Sequence, residues 1–588
     1  MNRRMILLVT LFLLALTASA CSSSATQSPT QVPATASPKA ESVPPTPNEA
    51  APTSATQPTR EPRPFSPPTG GELVTAKNEF FTAAGNCVIC HRSNFDEAGN
   101  DVSLGEDWRG SMMAHSAVDP YYLAGVSMNL ARFPAYDQAI QSKCSSCHLP
   151  MAHTSASFYG EESLIFGEGG FLDPVNPLHT LAKDGVSCTV CHQIMDLDLG
   201  EFDSFSGGFV IDKDTPLGER LLYGSYIPHM GSQRMMAMST GFISQPSDHL
   251  LESEICATCH NLYTQYIKPD GSLSEEYFPE QTPYSEWLAS DFATQATCQD
   301  CHLPPAEGSV VLSNLGPAGP RSPFGIHTFT GGNAYMLNLY KNYGGEIGIQ
   351  ASPENLAEAI DLTLNQLGTD TAELELSTLQ LEGSTLSFEV TTRVLTGHKF
   401  PTGYPSRRAW LHVVVKDSEG EVVFESGGMG ENGAIQGNEN DEQDQAFEPH
   451  YDLITTSDQV QIYETILTDP EENLTTVLLA ASDYLKDNRL LPNGFQKATV
   501  NEDIKPRGAA LIDEDFSAGG DTISYQVELG DATGPFKVEV ELLYQSISYR
   551  WAMDLRKYDT DQILLFNEYY DGTPNIPVRI AGQMGTSE

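Results

Sequence analysis

The chain has 588 residues, 11 cysteines and a formal net charge of -46. That length builds two or three domains with cores of their own, so cysteine is not needed to cross-link a small fold and must be explained by chemistry. About half of the negative charge lies in the C-terminal third, and a surface of this sign repels nucleic acid and anionic lipid headgroups. The plain reading is an acidic exported surface kept soluble by charge. A basic partner or bound divalent cations are the alternatives.

The N-terminus reads as a secretory signal over residues 1–20, with Arg3 and Arg4 ahead of an apolar run from Met5 to Leu16 and small residues up to Ala20. The run is short for a membrane span. Cys21 stands where a bacterial lipoprotein carries its lipid-modified N-terminal cysteine, and it is the one cysteine without a partner motif. Ala18 departs from the usual leucine of that cleavage site, and the alternative is ordinary cleavage nearby with a free thiol. Residues 21–72, rich in Pro, Ser, Thr, Ala and Gln, have too few large apolar side chains to fold and predict an extended tether. The expectation is an exported lipoprotein, anchored to the membrane and facing the periplasm or the cell exterior.

The other ten cysteines form five pairs of one spacing, each followed directly by histidine. They are Cys87 and Cys90 with His91, Cys144 and Cys147 with His148, Cys188 and Cys191 with His192, Cys256 and Cys259 with His260, and Cys298 and Cys301 with His302. Random placement of 11 cysteines and 14 histidines would give about 0.005 such motifs. The spacing has a chemical reason. Two thiols separated by two residues reach the two vinyl groups of one haem as thioethers, and the adjacent histidine then lies beneath the iron. Zinc sites need two pairs per ion, so five pairs do not divide, and disulfides have no cause to be followed by histidine every time. The sequence thus predicts five covalently bound haems between residues 87 and 302, too little chain to wrap five separate cores, with short helices at the motifs and loops such as Gly167 to Pro177 between them.

Nine further histidines, at 115, 153, 179, 229, 249, 327, 398, 412 and 450, are enough to complete bis-histidine ligation. The segments WRGSMMAHSAVDPYY (108–122), DGVSCTVCHQI (184–194), HLLESEICATCHNLYT (249–264), HTFTGGN (327–333) and GHKFPTGYPSRR (397–408) resemble a bacterial family of exported multihaem c-type cytochromes with a C-terminal β domain. The resemblance runs from about residue 73 to the end. It implies distal ligands at His249, His327 and His398, and at Met113, where the family usually has an iron-binding side chain two residues after the serine. A thioether there would raise that haem's potential; the alternative is that Met112, Met113 and Met128 pack against porphyrin. For His398 the alternative is a turn shaped with Pro401. His153 is favoured for the fifth iron over His179, His229 and Met151.

After His327 the sequence changes character. Ser352 and Pro353 suit a helix start, with Leu356, Ile360, Leu364 and Leu367 on one face. Alternating runs at 386–394, 409–416, 421–425, 460–467, 475–481, 522–529 and 536–544 predict an antiparallel β-sandwich. Asp441, Glu442 and Asp444 lack calcium-loop spacing and read as a solvated acidic loop. The phrase DNRLLPNGF (487–495) resembles a recurring family phrase, legible only as a tight turn.

The expected fold class is α+β and multidomain: a largely irregular, short-helix pentahaem domain (73–345), a helical connector (346–370) and a β-sandwich-like domain (371–588). The expected function is electron transfer between redox donor and acceptor proteins or an extracellular acceptor, with no catalytic residues, no nucleic acid, and a membrane contact through the lipid anchor. Two alternatives stand: a multihaem reductase of a small nitrogen or sulfur oxyanion, which needs one open iron, and a subunit of a haem-lined homo-oligomer or filament.

Overall fold

The computed structural model describes residues 73–587, so the expected signal sequence, Cys21 and the tether lie outside the described residues. All described residues belong to one contact unit, residues 57–588. Among them no helix is long and apolar enough to cross a membrane. The architecture is mixed α and β, with helices and several mostly antiparallel sheets.

The C-terminal part is organised by period-2 alternation. In Thr385–Val394 the side chains of Leu386, Phe388, Val390, Thr392 and Val394 are buried, while their neighbours are exposed or half-buried. This strand pairs antiparallel with Gly520–Glu528 and with Ala372–Leu376. A second sheet runs in the order Val422–Ser426, Arg408–Lys416, Lys537–Gln545, Val578–Thr586. The inward faces of the two sheets share one core, with Leu386, Phe388 and Val390 from the first and Leu411, Val413, Val540 and Leu542 from the second. Arg408–Lys416 is buried on both faces, because Ile435, Val460 and Ile462 cover Trp410 on its outer side.

Five of the seven expected strands form within a residue or two of their predicted ends. Two do not. The run 460–467 is split into Ile462–Tyr463 and Thr465–Thr468, since the Glu464 backbone N–H donates to the Asn488 side chain (2.9 Å) and not to a ladder. The run 475–481 is a 3-10 turn at Leu478–Ala480, where Leu478 and Ala481 pack on Phe278 and Trp551 and the Leu479 N–H donates to Asn129. Apolar content there reflects burial between Phe278 of a strand and Trp551 of a helix.

The connector is the helix Pro353–Thr369, started by a reciprocal capping box between Ser352 and Asn355. Leu356 and Leu367 are buried as expected, but Leu364 is exposed. Two helices that the sequence reading did not include, Tyr549–Leu555 and Asp561–Gly572, leave the β part and pack with Pro120–Arg132, Ala334–Ile347 and the connector in a second core containing Met128, Met336, Tyr340, Leu356, Leu555 and Phe566. The last 40 residues thereby bind the motif-bearing region to the sheets. That region is mostly short helices and turns, with three two-stranded pairings among the described residues, the longest being the hairpin Leu262–Ile267 with Leu273–Gln281 between the fourth and fifth motifs.

Candidate functional site

Each Cys-x-x-Cys-His motif lies on or at the end of a helical turn: Ala84–Val88, Asp137–His148, Cys188–Cys191, Glu254–His260 and Cys298–His302. A helical turn puts residues three and four apart on one side, so both thiols and the histidine of a motif are presented together. The fifth turn is fixed by a capping box between Thr297 and Asp300.

An imidazole can bind iron only through an unprotonated nitrogen, and the proton on the other must go to an acceptor. Four of the five motif histidines meet that condition through Nδ1. His91 donates to the carbonyl of Leu312 (2.9 Å), His148 to Ser116 (3.2 Å), His192 to Tyr223 (2.7 Å) and His302 to Thr330 (2.6 Å). A carbonyl only accepts, so Nδ1 carries the proton and Nε2 keeps its lone pair. Burial pushes His148 and His260 down to about 4, which keeps both neutral at pH 7. Tyr122 lies face to face on the His148 ring at 3.7 Å and fixes its plane.

Two of the expected distal histidines stand opposite motif histidines. The rings of His192 and His327 are 6.5 Å apart and 11° from parallel, and those of His302 and His398 are 6.4 Å apart and 9° from parallel. This is the separation of two imidazoles with one metal ion between them at nitrogen bonds of about 2 Å. In both partners Nδ1 is again occupied, by the carbonyls of Gly325 (2.8 Å) and Lys399 (2.9 Å), which leaves Nε2 free.

The other distal candidates are not brought opposite a motif ring. His249 is buried, but Nε2 bonds the Ile194 carbonyl (2.9 Å) and Nδ1 the Ser247 hydroxyl (2.7 Å), so both nitrogens are engaged. Its ring meets Tyr223 edge-on, the residue whose carbonyl holds His192. His153 bonds Ser145 through Nδ1 (3.1 Å) and keeps Nε2 free. Met113 is half-buried on a 3-10 turn, and its carbonyl accepts from Val186 two residues before the third motif. His115 donates to the Arg109 carbonyl (2.8 Å), His179 to Phe171 (3.0 Å), and His229 caps a helix.

Contacts between motifs give an order that differs from the sequence. The first and third turns are joined by Thr82 and Thr189, which exchange hydrogen bonds, and the Cys87 thiol lies beside Cys188. The fifth joins the fourth through Cys298 N–H to the Ser253 hydroxyl (3.0 Å), with the Cys298 thiol beside Cys256. The fourth meets the second at Gly207, whose N–H donates to Thr258 (2.7 Å) and where a side chain would collide with Ser146 and Cys147. The fourth motif is therefore the neighbour of both the second and the fifth.

His398 is held by a buried charge cluster. Asp487 binds Lys399 (2.7 Å) and Arg489 (2.9 Å), and Arg489 binds Glu286 (2.8 Å) on the helix before the fifth motif. Burial alone would raise the Asp487 carboxyl, but Arg489 and Lys399 hold it well below the usual carboxylate range. Two of the four charges belong to the phrase DNRLLPNGF, which the sequence reading resolved only as a turn. The repeated opposite charges in that phrase and beside His398 were the available signal.

Two polar groups of the β part close on themselves. Asp441 is not solvated as expected: it is half-buried and binds Arg408 (2.6 Å), while Asp444 pairs with Lys557 at the surface. His450, Asp513 and Asp521 place one donor atom each within 4.8 Å of one another. His450 Nδ1 accepts from Gln461 (2.7 Å) and Asn488 (3.1 Å), amides whose oxygens are fixed by the Tyr451 and Glu464 N–H groups. Nε2 therefore carries the proton and donates to Asp513 (2.8 Å), so no lone pair faces the carboxylates and the set does not suit a cation.

No family model and no curated protein matches the chain. Among solved structures, a penta-heme cytochrome c552 from Thermochromatium tepidum aligns with a TM-score of 0.47 and 16% identity, over 86% of this chain and 98% of that one.

Proposed function

We propose that the chain is an exported pentahaem c-type cytochrome whose function is electron transfer. The observation that carries this is the facing of His192 with His327 and of His302 with His398, near-parallel at 6.5 and 6.4 Å with their Nε2 atoms unengaged. Ten cysteines would attach the haems, the histidine after each pair would hold the iron, and His327 and His398 would complete the third and fifth sites. Bound haem supplies reversible one-electron chemistry.

The protein's own contribution is to fix these ligands. Backbone carbonyls orient the rings, burial keeps them neutral, and the contacts between motifs bring the attachment sites side by side. Met113, His153 and His249 remain our assignments for the other three sites, and His249 must exchange the Ile194 or Ser247 bond to serve. Cys21 would carry the lipid anchor, with residues 21–72 as the tether to the membrane.

Carbon monoxide tests transfer against a reductase of a nitrogen or sulfur oxyanion. The reduced protein is expected to bind little of it, because paired side chains leave no open position. Stoichiometric binding at one iron would favour the reductase.

A further inference from the structure

The chain carries 78 acidic residues in 588, yet no aspartate or glutamate occurs between Glu219 and Asp248, nor between Glu307 and Glu346. These two stretches meet in the fold. Arg321 donates to the Ile227 carbonyl (3.1 Å) and lies over the Tyr226 ring, and the Tyr226 hydroxyl donates to the Pro323 carbonyl. Together they flank the first haem motif. Thr82 bonds the carbonyl of Thr240 (3.1 Å), Asn314 N–H donates to the Cys90 carbonyl (3.0 Å), and His91 is held by Leu312.

Much of their outer surface is apolar, although Arg234 is exposed on the same helix as the methionines. Met238 is 88% exposed, Ile227 79% and Met230 76%, with Met235, Val311 and Leu315 also exposed. Single exposed apolar residues need no explanation, but a group of them on an acid-free surface of a chain of charge -46 does. Methionine suits a surface that must adapt to another face, because its side chain is unbranched and polarisable.

We propose that this surface is the docking site of a soluble, basic electron-carrier protein with an apolar rim around its own redox centre. The inference rests on the haem reading above and adds where the partner binds. The acidic remainder of the molecule attracts a basic partner from a distance and speeds encounter. Carboxylates resume at the margins of the two stretches, at Asp214, Glu219, Asp248 and Glu307. Within the surface itself, close apolar contact requires no carboxylate to be desolvated. The contact falls beside the first motif, which adjoins the third.

The test uses the full-length haem-loaded protein, with a basic monohaem cytochrome c as the probe. Affinity is measured by calorimetry, and the second-order electron-transfer rate by stopped flow. Ile227→Ser, Met230→Ser and Met238→Ser combined remove apolar area at constant charge. The expected result is a Kd raised tenfold or more and a slower bimolecular rate, with the salt dependence kept, while Ile512→Ser, at an exposed residue elsewhere, leaves both unchanged. Wild-type affinity in the triple variant overturns the proposal. A wild-type dimer that the triple variant dissolves, with probe binding unaltered, also overturns it and assigns the surface to a second copy of the chain. Haem content of the same samples separates this from failure of the haem reading: fewer than five haems would strike the reading itself, and five haems with unchanged binding only the docking site.

Discussion

A ligand ring is useful to a metal only if something else holds its other nitrogen, and at His398 that holding extends to a buried ion cluster. Lys399, Asp487, Arg489 and Glu286 are all buried, so removing one charge strands another. Arg489→Leu is expected to cost about 3–5 kcal/mol of stability and to abolish the six-coordinate low-spin signal of the fifth iron. His398→Ala should lose the same signal at much smaller cost in thermal stability. Electron paramagnetic resonance and thermal melting together check this. Asp521 gives a pH prediction. Burial pushes its carboxyl up to about 8, against about 3.9 unfolded, so the folded state binds a proton that the unfolded state has lost between those values. Its contribution to stability is therefore fully present below about pH 4 and falls as pH rises toward 8. Asp521→Asn keeps an oxygen for Tyr463 and Gln461 and cannot ionise, so its melting temperature should fall less between pH 5 and pH 8 than that of the wild type. At this scale the grouping of each cysteine pair with its histidine on a helical turn was legible, because the spacing of three and four residues matches one turn. The engagement of His249 was not, since it depends on the fold bringing the Ile194 carbonyl, just past the third motif, to a ring 55 residues further along the chain.

Among the elements, the strands of the β part followed from alternation alone, as Thr385–Val394 shows. The run 475–481 misled because a 3-10 turn buried against Phe278 and Trp551 presents the same apolar content as a strand. The C-terminal helices carry weight that their position in the chain does not advertise. Phe566 is fully buried among Tyr121, Tyr570 and the helix Ala334–Ile347. Phe566→Ala should cost about 3–5 kcal/mol, and because its core includes Met128 and Tyr121 beside the second motif, the loss should also reduce haem retention on heating. Urea melts read by fluorescence and by Soret absorbance should shift together; a shift in fluorescence alone would show the two parts to be uncoupled.

Over the whole molecule, the motifs meet in an order the sequence does not disclose: first with third, and the fourth beside both the second and the fifth. Sequence order could not give this, because the joining contacts come from Thr82, Gly207 and Ser253, residues of no special chemistry. Acidic side chains are spread over much of the chain and absent from the two stretches that flank the first motif, which keep Arg220, Arg234, Arg321 and Lys341. The most direct test of the account is the number of covalently attached haems per chain, by pyridine haemochrome absorbance against protein concentration together with intact mass. The account predicts five, surviving acid-acetone extraction. Substantially fewer than five, or a mass equal to that of the polypeptide alone, would contradict it.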